Sequence, residues 1–249
     1  MSRIDQDSAY FLHQTPYRDN SAIVHLLSRQ HGKLSFIVSG LKAKKNAKRP
    51  FLQPCRRLVI DYQLRTGLCK LLDIDFASAS RAQSVPPIEQ FMLYQYANEL
   101  LLTVLPEQLP VTSLFDDYTQ FLQYLAGGRT HLALRHIELA LLILFSGLPN
   151  LNHTEDSRQA VDADKHYYLY PERGLFVHPQ NEAGGIALDG TQIQAFQHLV
   201  HGYVNADSDH LSETLAQGGK AISSALIQPL LNGKTLKTRV VYRALQEFI

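Results

Sequence analysis

Runs in which apolar and polar residues alternate fill the first third of the chain, and apolar spacings of three and four fill most of the rest. The alternating runs are residues 9–14, 22–28, 33–39, 57–64 and 68–76. In the third, Leu34, Phe36 and Val38 share a face, with Lys33 and Ser35 on the other; in the fourth, Leu58, Ile60, Tyr62 and Leu64 share a face. Period two with one apolar side marks a half-buried strand. Turn residues separate the runs: Arg18-Asp19-Asn20, His31-Gly32, Gly40, Pro50, Pro54 and Gly67.

Beyond Ser84-Val85-Pro86-Pro87 the pattern becomes helical. Phe91, Tyr94, Ala97, Leu101 and Val104 fall on one helical stripe. A second helix is expected over 113–125, ended by Gly127-Gly128, and a third over 131–145, apolar on most sides and therefore a buried spine. Residues 150–185 are irregular, with a hairpin of 167–170 and 175–177 around Pro171-Glu172-Arg173-Gly174. Helices resume at 191–204, 208–215, 221–231 and 237–248. Five short strands make a poor flat sheet, and closing them into a small barrel removes the edges; the five-stranded barrel is the OB-fold. The expected class is thus α+β. Residues 1–80 form an OB-fold barrel and 81–249 a helical domain, with 150–185 an irregular, hairpin-containing insertion.

Composition narrows the class. Apolar residues make up 45% and charged residues 19%, a globular balance. The polar start at residues 1–9 lacks the apolar core of a signal peptide, and the longest apolar stretch, 137–148, contains Glu138 and falls short of the ~20 residues of a membrane span. Cys55 and Cys69, without a CxxC pair, exclude a disulfide framework and a cysteine-built zinc site. A reduced, cytoplasmic protein is expected.

Charge changes the picture more. The net +1 conceals an asymmetry: residues 1–80 hold thirteen Lys or Arg and six Asp or Glu, and residues 81–249 hold eleven and seventeen. Between Arg29 and Lys70 stand eleven cations and one acid, Asp61. A polyanion-binding module joined to a part with another task fits this distribution. Its densest stretch is Lys42, Lys44, Lys45, Lys48 and Arg49, in a strand-to-strand loop. Such cations meet successive phosphates and release counterions without reading sequence. Lys33, Arg56, Arg57, Arg65 and Lys70 extend the track. Phe36, Phe51 and Tyr62 are candidates for base stacking, but Phe36 and Tyr62 sit on apolar faces and are read as core.

Enzymatic motifs fare worse. Gly233-Lys234-Thr235 resembles the end of a P-loop, but Gln228 stands where a glycine is required and a helix precedes it. There is no GxSxG and no HExxH. Asp73 and Asp75 share a strand face, and His198 and His201 lie one helical turn apart; both pairs lack a further ligand nearby and are read as solvated. His131 and His136 diverge around their helix. No catalytic residue, metal or cofactor is assigned.

Taken in order, several fragments resemble the RecO family: Tyr17-Arg18-Asp19-Asn20-Ser21-Ala22-Ile23-Val24, Gly32-Lys33-Leu34, Val38-Ser39-Gly40 followed by cations, and Leu52-Gln53-Pro54. So do Tyr96-Ala97-Asn98-Glu99-Leu100-Leu101, Leu134-Arg135-His136-Ile137-Glu138-Leu139-Ala140-Leu141-Leu142, and Leu231-Asn232-Gly233-Lys234-Thr235-Leu236-Lys237-Thr238-Arg239. Asn232 and Thr238 replace the family's glycine and serine. The resemblance implies a non-catalytic mediator of DNA repair and recombination with an OB-fold and a helical domain. Such a protein binds single- and double-stranded DNA, anneals complementary strands without ATP, and helps load recombinase with RecR and the single-stranded-DNA-binding protein. Many members carry a four-cysteine zinc site after the long helix. Residues 150–185 here have no cysteine, as in the zinc-free branch, which leaves the hairpin to packing alone.

Two further surfaces are expected. Arg135, with Leu132 and Leu139, either receives a partner's acidic tail or merely caps or solvates the domain surface. Lys234, Lys237 and Arg239 form a second basic patch, for DNA or for the dipole of the preceding helix. The alternatives to a mediator are a generic single-strand-binding OB module with an oligomerising helical half, and a metal-dependent nuclease built on Asp73 and Asp75.

Overall fold

The computed structural model describes residues 2–40, 46–77, 86–205 and 212–246. Packing divides the chain into two compact units, Met1–Thr119 with Leu236–Ile249, and Gln120–Thr235.

The first unit is built on five strands: β1 (Ser2–Tyr17), β2 (Ser21–Ser28), β3 (Gly32–Ser39), β4 (Arg57–Leu64) and β5 (Lys70–Phe76). They form an antiparallel sheet in the order β3-β2-β1-β4-β5. β1 starts seven residues before its alternation does. Ser2–Ser8 has no apolar period of its own; β4 supplies its ladder, with Ile4 opposite Tyr62 and Ser8 opposite Val59. Register shifts at Ile4/Asp7 and Phe11/His13 bend β1, so one half pairs with β4 and the other with β2. The alternating apolar residues Val24, Leu26, Leu34, Phe36, Leu58, Ile60 and Tyr62 fill the interior with no exposed surface. Burying side chains of this size contributes about 1.5–3 kcal/mol each.

The expected closed barrel is corrected. Among the described residues β3 meets the chain entering β5 at one parallel bridge, Phe36 to Cys69, with Cys69 N donating to Ser35 O at 2.8 Å. No continuous ladder joins them, and the curved sheet is consistent with an OB-fold. The free edge of β3 is sealed instead by the segment after the first helix. Gln108 N donates to Lys33 O at 2.9 Å and its side-chain amide to Arg65 O at 2.5 Å, across the seam. The approach is so close that a Cβ on Gly32, whose φ is +67°, would lie 1.9 Å from Leu109 O. This cover is why Lys33 and Ser35, on the polar face of β3, are buried as well as the apolar face, while Ile37 and Ser39 beyond it stay exposed.

Helices α1 (Ile88–Val104), α7 (Lys237–Gln246) and the first residues of α2 (Thr112–Ala126) belong to the same unit as the sheet. Tyr94 Oη donates to Phe11 O at 2.6 Å, and Asn98 Nδ2 to Leu12 O at 2.8 Å, at the bend in β1. The next residue, Glu99, caps α7: its carboxylate accepts from Lys237 N, Thr238 N and Thr238 Oγ. Burial pushes the Glu99 carboxyl up, but these hydrogen bonds outweigh it and hold the group below the usual carboxylate range. A depressed folded-state pKa means the cap is fully in force above the unfolded value of about 4.3 and is lost as pH falls through the folded one. Acid titration below about pH 4 is therefore expected to release α7 first, read as faster amide exchange over 237–241. In Glu99→Gln that exchange is expected to be fast at every pH; equal protection in the two proteins would remove Glu99 as the cap.

The second unit holds α3 (Thr130–Leu144), β6 (His166–Tyr170), β7 (Gly174–Phe176), β8 (Ile186–Asp189), α4 (Gly190–Val204), α5 (Glu213–Gly218) and α6 (Lys220–Leu230). α3 is the buried spine; its first turn is capped by Glu213, which accepts from His131 N and Leu132 N at 2.7 and 3.0 Å. The hairpin of β6 and β7 gains a third strand, β8, in the order β7-β6-β8. It is not held by packing alone. Asp156 Oδ2 accepts from Val177 N, Glu155 N donates to Leu175 O, and Tyr170 Oη bonds both the N–H and the carbonyl of Gln180. Residues 208–211 and 247–248 of the expected last helices lie outside the described residues. Among the described residues no helix is long and apolar enough to cross a membrane.

Candidate nucleic-acid interface

Where β3 and β5 part beyond their single bridge, a groove of about 480 Å³ opens. Ile37, Val38 and Ser39 of β3 form one wall, Asn46, Ala47 and Lys48 of the following loop another, and Arg65 and Leu68 to Leu71 the third. Among the described residues three charged ones line it, Lys48, Arg65 and Lys70, and all are cations. Asn46 Nδ2 donates to Ser39 O at 3.0 Å, and Lys48 Nζ to Leu71 O at 2.7 Å, so the loop's return is tied to both strands. Burial lowers the Lys48 pKa, Lys70 adds to the shift and Asp73 opposes it. One carbonyl occupies one of three ammonium donors, which leaves Lys48 able to meet an anion. Arg65 Nη2 donates to Gln63 Oε1 at 3.0 Å. Lys42, Lys44 and Lys45 lie outside the described residues; Gly40 and Asn46, on either side of them in the chain, are described, and Asn46 lines the groove.

The remaining cations separate. Lys33 leaves the track: it is only 9% exposed, with Nζ donating to Leu102 O at 3.0 Å and 3.5 Å from Glu107. It is an internal tie of the seam's cover, which periodicity could not show, because the cover comes from about seventy residues downstream. Arg49 is exposed. Phe51 packs on Phe76 at 4.9 Å, and the Arg56 guanidinium lies 3.4 Å from the Phe76 ring centre. The loop thus runs along β5, carrying Lys48, Arg49 and Arg56 from one end of that strand towards the other. Arg57 turns elsewhere, donating to Ser8 Oγ at 3.0 Å with its guanidinium 5.7 Å from the Phe115 ring. Phe36 and Tyr62 are core, with no exposed surface, and Phe51 is partly buried against the same core.

A second cleft on this sheet, about 310 Å³, has the opposite sign, lined by Asp61, Asp73 and Asp75. Asp73 and Asp75 each accept the N–H of the next residue, at 3.0 and 2.7 Å, and Asp61 accepts Gln6 N at 2.8 Å. Among the described residues no group of three His, Cys, Asp or Glu is placed to hold a metal ion. A polyanion would avoid this cleft and follow the other.

The other expected residues are elsewhere. His198 and His201 are exposed on α4, and His136 lies between the rings of Tyr124 and Tyr203 at 5.4 and 5.0 Å. Asn232 and Gly233, both at positive φ, turn the chain out of α6, so Gly233-Lys234-Thr235 is a helix end, not a phosphate cradle. Lys234 is exposed in the second unit; Lys237 and Arg239 belong to the first, where Arg239 donates to Tyr96 Oη at 3.0 Å. Leu132, Arg135 and Leu139 are not surface residues: their exposures are 1%, 4% and 1%. Arg135 neither caps nor solvates the domain. Its Nη2 pairs with Glu138 at 2.9 Å, and Ser223 Oγ of α6 donates to the same carboxylate. Ile37 and Leu68, which sequence reading passed over, line the groove as half-exposed aliphatics; their signal was an apolar residue on the polar side of β3 and one in a turn.

Known proteins with similar sequences bear on this arrangement. Residues 1–79 match the family profile described as Recombination protein O N terminal, and residues 87–239 that of Recombination protein O C terminal. The chain is 31% identical to the DNA repair protein RecO of Albidiferax ferrireducens, covering 98% of this chain and 97% of that one. It is 32% identical to the DNA repair protein RecO of Azoarcus sp. strain BH72, over 99% and 97%. A third relative, from Variovorax paradoxus, has the same name and is 30% identical over 98% and 97%.

Proposed function

The chain belongs to the RecO family of DNA repair proteins, and from that premise we propose that it is a non-catalytic mediator of recombination acting on cytoplasmic, nucleoid DNA. It binds single- and double-stranded DNA through the first unit and anneals complementary strands without ATP. It helps load recombinase together with RecR and the single-stranded-DNA-binding protein. The observation that carries this reading is the groove between β3 and β5, lined by Lys48, Arg65 and Lys70 and, among the described residues, by no acid. Lys42, Lys44, Lys45 and Arg49 adjoin it in the chain, and Arg56 continues the line along β5.

Two complementary strands repel through their phosphates. A surface that neutralises both at once lowers the barrier to pairing, and it does so without nucleotide hydrolysis. Because phosphates carry no sequence information, the binding is sequence-tolerant. The test is annealing of complementary oligonucleotides, naked and precoated with the cognate single-strand binder. Acceleration of both is expected. Tight single-strand binding with no acceleration would instead make the chain a generic single-strand-binding module, and cleavage in Mg²⁺ would make it a nuclease.

A further inference from the structure

We propose that the β3–β5 groove seats one unpaired nucleotide of a DNA single strand, its base against Ile37 and Leu68 and its flanking phosphates on Arg65, Lys70 and Lys48. This rests on the DNA-binding reading and adds a contact to the base, which that reading does not need.

The floor of the groove is the first argument. Among the described residues of β1–β5 and their connections, Ile37 and Leu68 are the large hydrophobics left exposed, at 36% and 37%. Both line this one groove, although they lie 31 positions apart in the chain. Leu68 sits in the turn before β5 and has no part in the core cluster. Apolar surface left in water costs about 25 cal/mol per Å², so two such side chains facing one space invite an apolar occupant.

The rim is the second. Among the described residues all three charged lining residues are cations. An occupant with an apolar flat part and anionic ends satisfies floor and rim together, as a nucleotide does. At about 480 Å³ the space is of small-ligand size and too small to admit a duplex. In a duplex the bases are stacked and paired, and turning one outward has an unpairing cost that a single strand is spared. Among the described residues no aromatic side chain lines the groove, so the contact is aliphatic and indifferent to base identity.

Abasic DNA separates the base from the phosphates at constant charge. The full chain is expected to bind (dT)₂₀ about fivefold more tightly than an abasic strand of equal length, the lower end of what base contacts contribute in single-strand binders. Ile37→Ser with Leu68→Ser is expected to abolish that preference while leaving affinity for the abasic strand and for duplex unchanged. Leu68→Ser alone, in a turn outside the core, is expected to reduce it. Equal wild-type affinity for the two strands, or a preference that survives the double substitution, would overturn the proposal and leave phosphate binding standing. Loss of abasic-strand binding in both variants would make these side chains part of the framework, again against it. Displacement of (dT)₂₀ by polyglutamate at equal charge concentration would mark the groove as an acidic-peptide site and overturn it too. No binding to either strand would sink the DNA-binding reading itself.

Discussion

Single-stranded DNA affinity is expected to fall about a hundredfold at 0.1 M salt when Lys42, Lys44 and Lys45 are all replaced by glutamate. Each phosphate contact to a single strand contributes about 0.7 to the slope of log affinity against log salt, so three contacts contribute about 2, which is two decades at 0.1 M. Fluorescence anisotropy titrations across a salt series read both quantities. A variant with unchanged slope would show that the loop between Gly40 and Asn46 meets no phosphate. Arg65→Glu with Lys70→Glu should act in the same direction, because both line the groove. Lys33 should not. Its ammonium is spent on Leu102 O and Glu107, so Lys33→Ala is expected to loosen the seam between β3 and β5 and to leave the salt slope alone. The contrast between Lys33 and Lys70 is the sharper test. The two have the same charge and similar places in the sequence, and only the fold tells them apart.

Glu138→Ala is expected to destabilise the second unit by about 3–5 kcal/mol, the cost of leaving a buried charge without its partner. That is a fall in melting temperature on the order of 10 °C for a protein of this size. Glu138 is 1% exposed and holds Arg135 at 2.9 Å on the same face of α3, one turn away. Ser223 joins α6 to the pair through the same carboxylate. Once the carboxylate is gone, the Arg135 guanidinium, 4% exposed, has neither water nor counter-charge. Arg135→Met with Glu138→Met removes both charges at similar volume and is expected to be nearly neutral. Thermal unfolding of the single and double variants decides; a double variant as unstable as the single one would mean that packing, not the unpaired charge, sets the cost. The same pair of variants bears on the partner-tail proposal for Arg135. If a partner's acidic tail is received there, the double variant should be stable and yet bind the tail peptide more weakly.

Two elements show how far local pattern reaches. β3 was legible as a strand from Leu34, Phe36 and Val38, yet Lys33 and Ser35, its polar face, are 9% and 7% exposed. A period of two reports that two faces differ; it does not report what lies over the second. The helix of 130–144 was legible as a buried spine from its apolar content. Arg135 then looked like part of a surface because charged residues seldom go inside unpaired; its partner Glu138 stands three residues on in the same helix, and the Ser223 hydroxyl that completes the buried group comes from α6, some eighty residues later.

What the chain determined by itself was local: the strand and helix periods, the turns that separate them, the concentration of positive charge before residue 80 and the ordered fragments shared with the RecO family. These depend on residues a few positions apart, and their physics acts at that range. The tertiary structure decided which cations face outward together, that the sheet stays open at a seam covered from the helical region, and that Ile37 and Leu68 share a groove with Lys48, Arg65 and Lys70. Those facts depend on groups brought together from tens of positions apart. Burial and pairing are properties of such meetings, and no single stretch of sequence contains them.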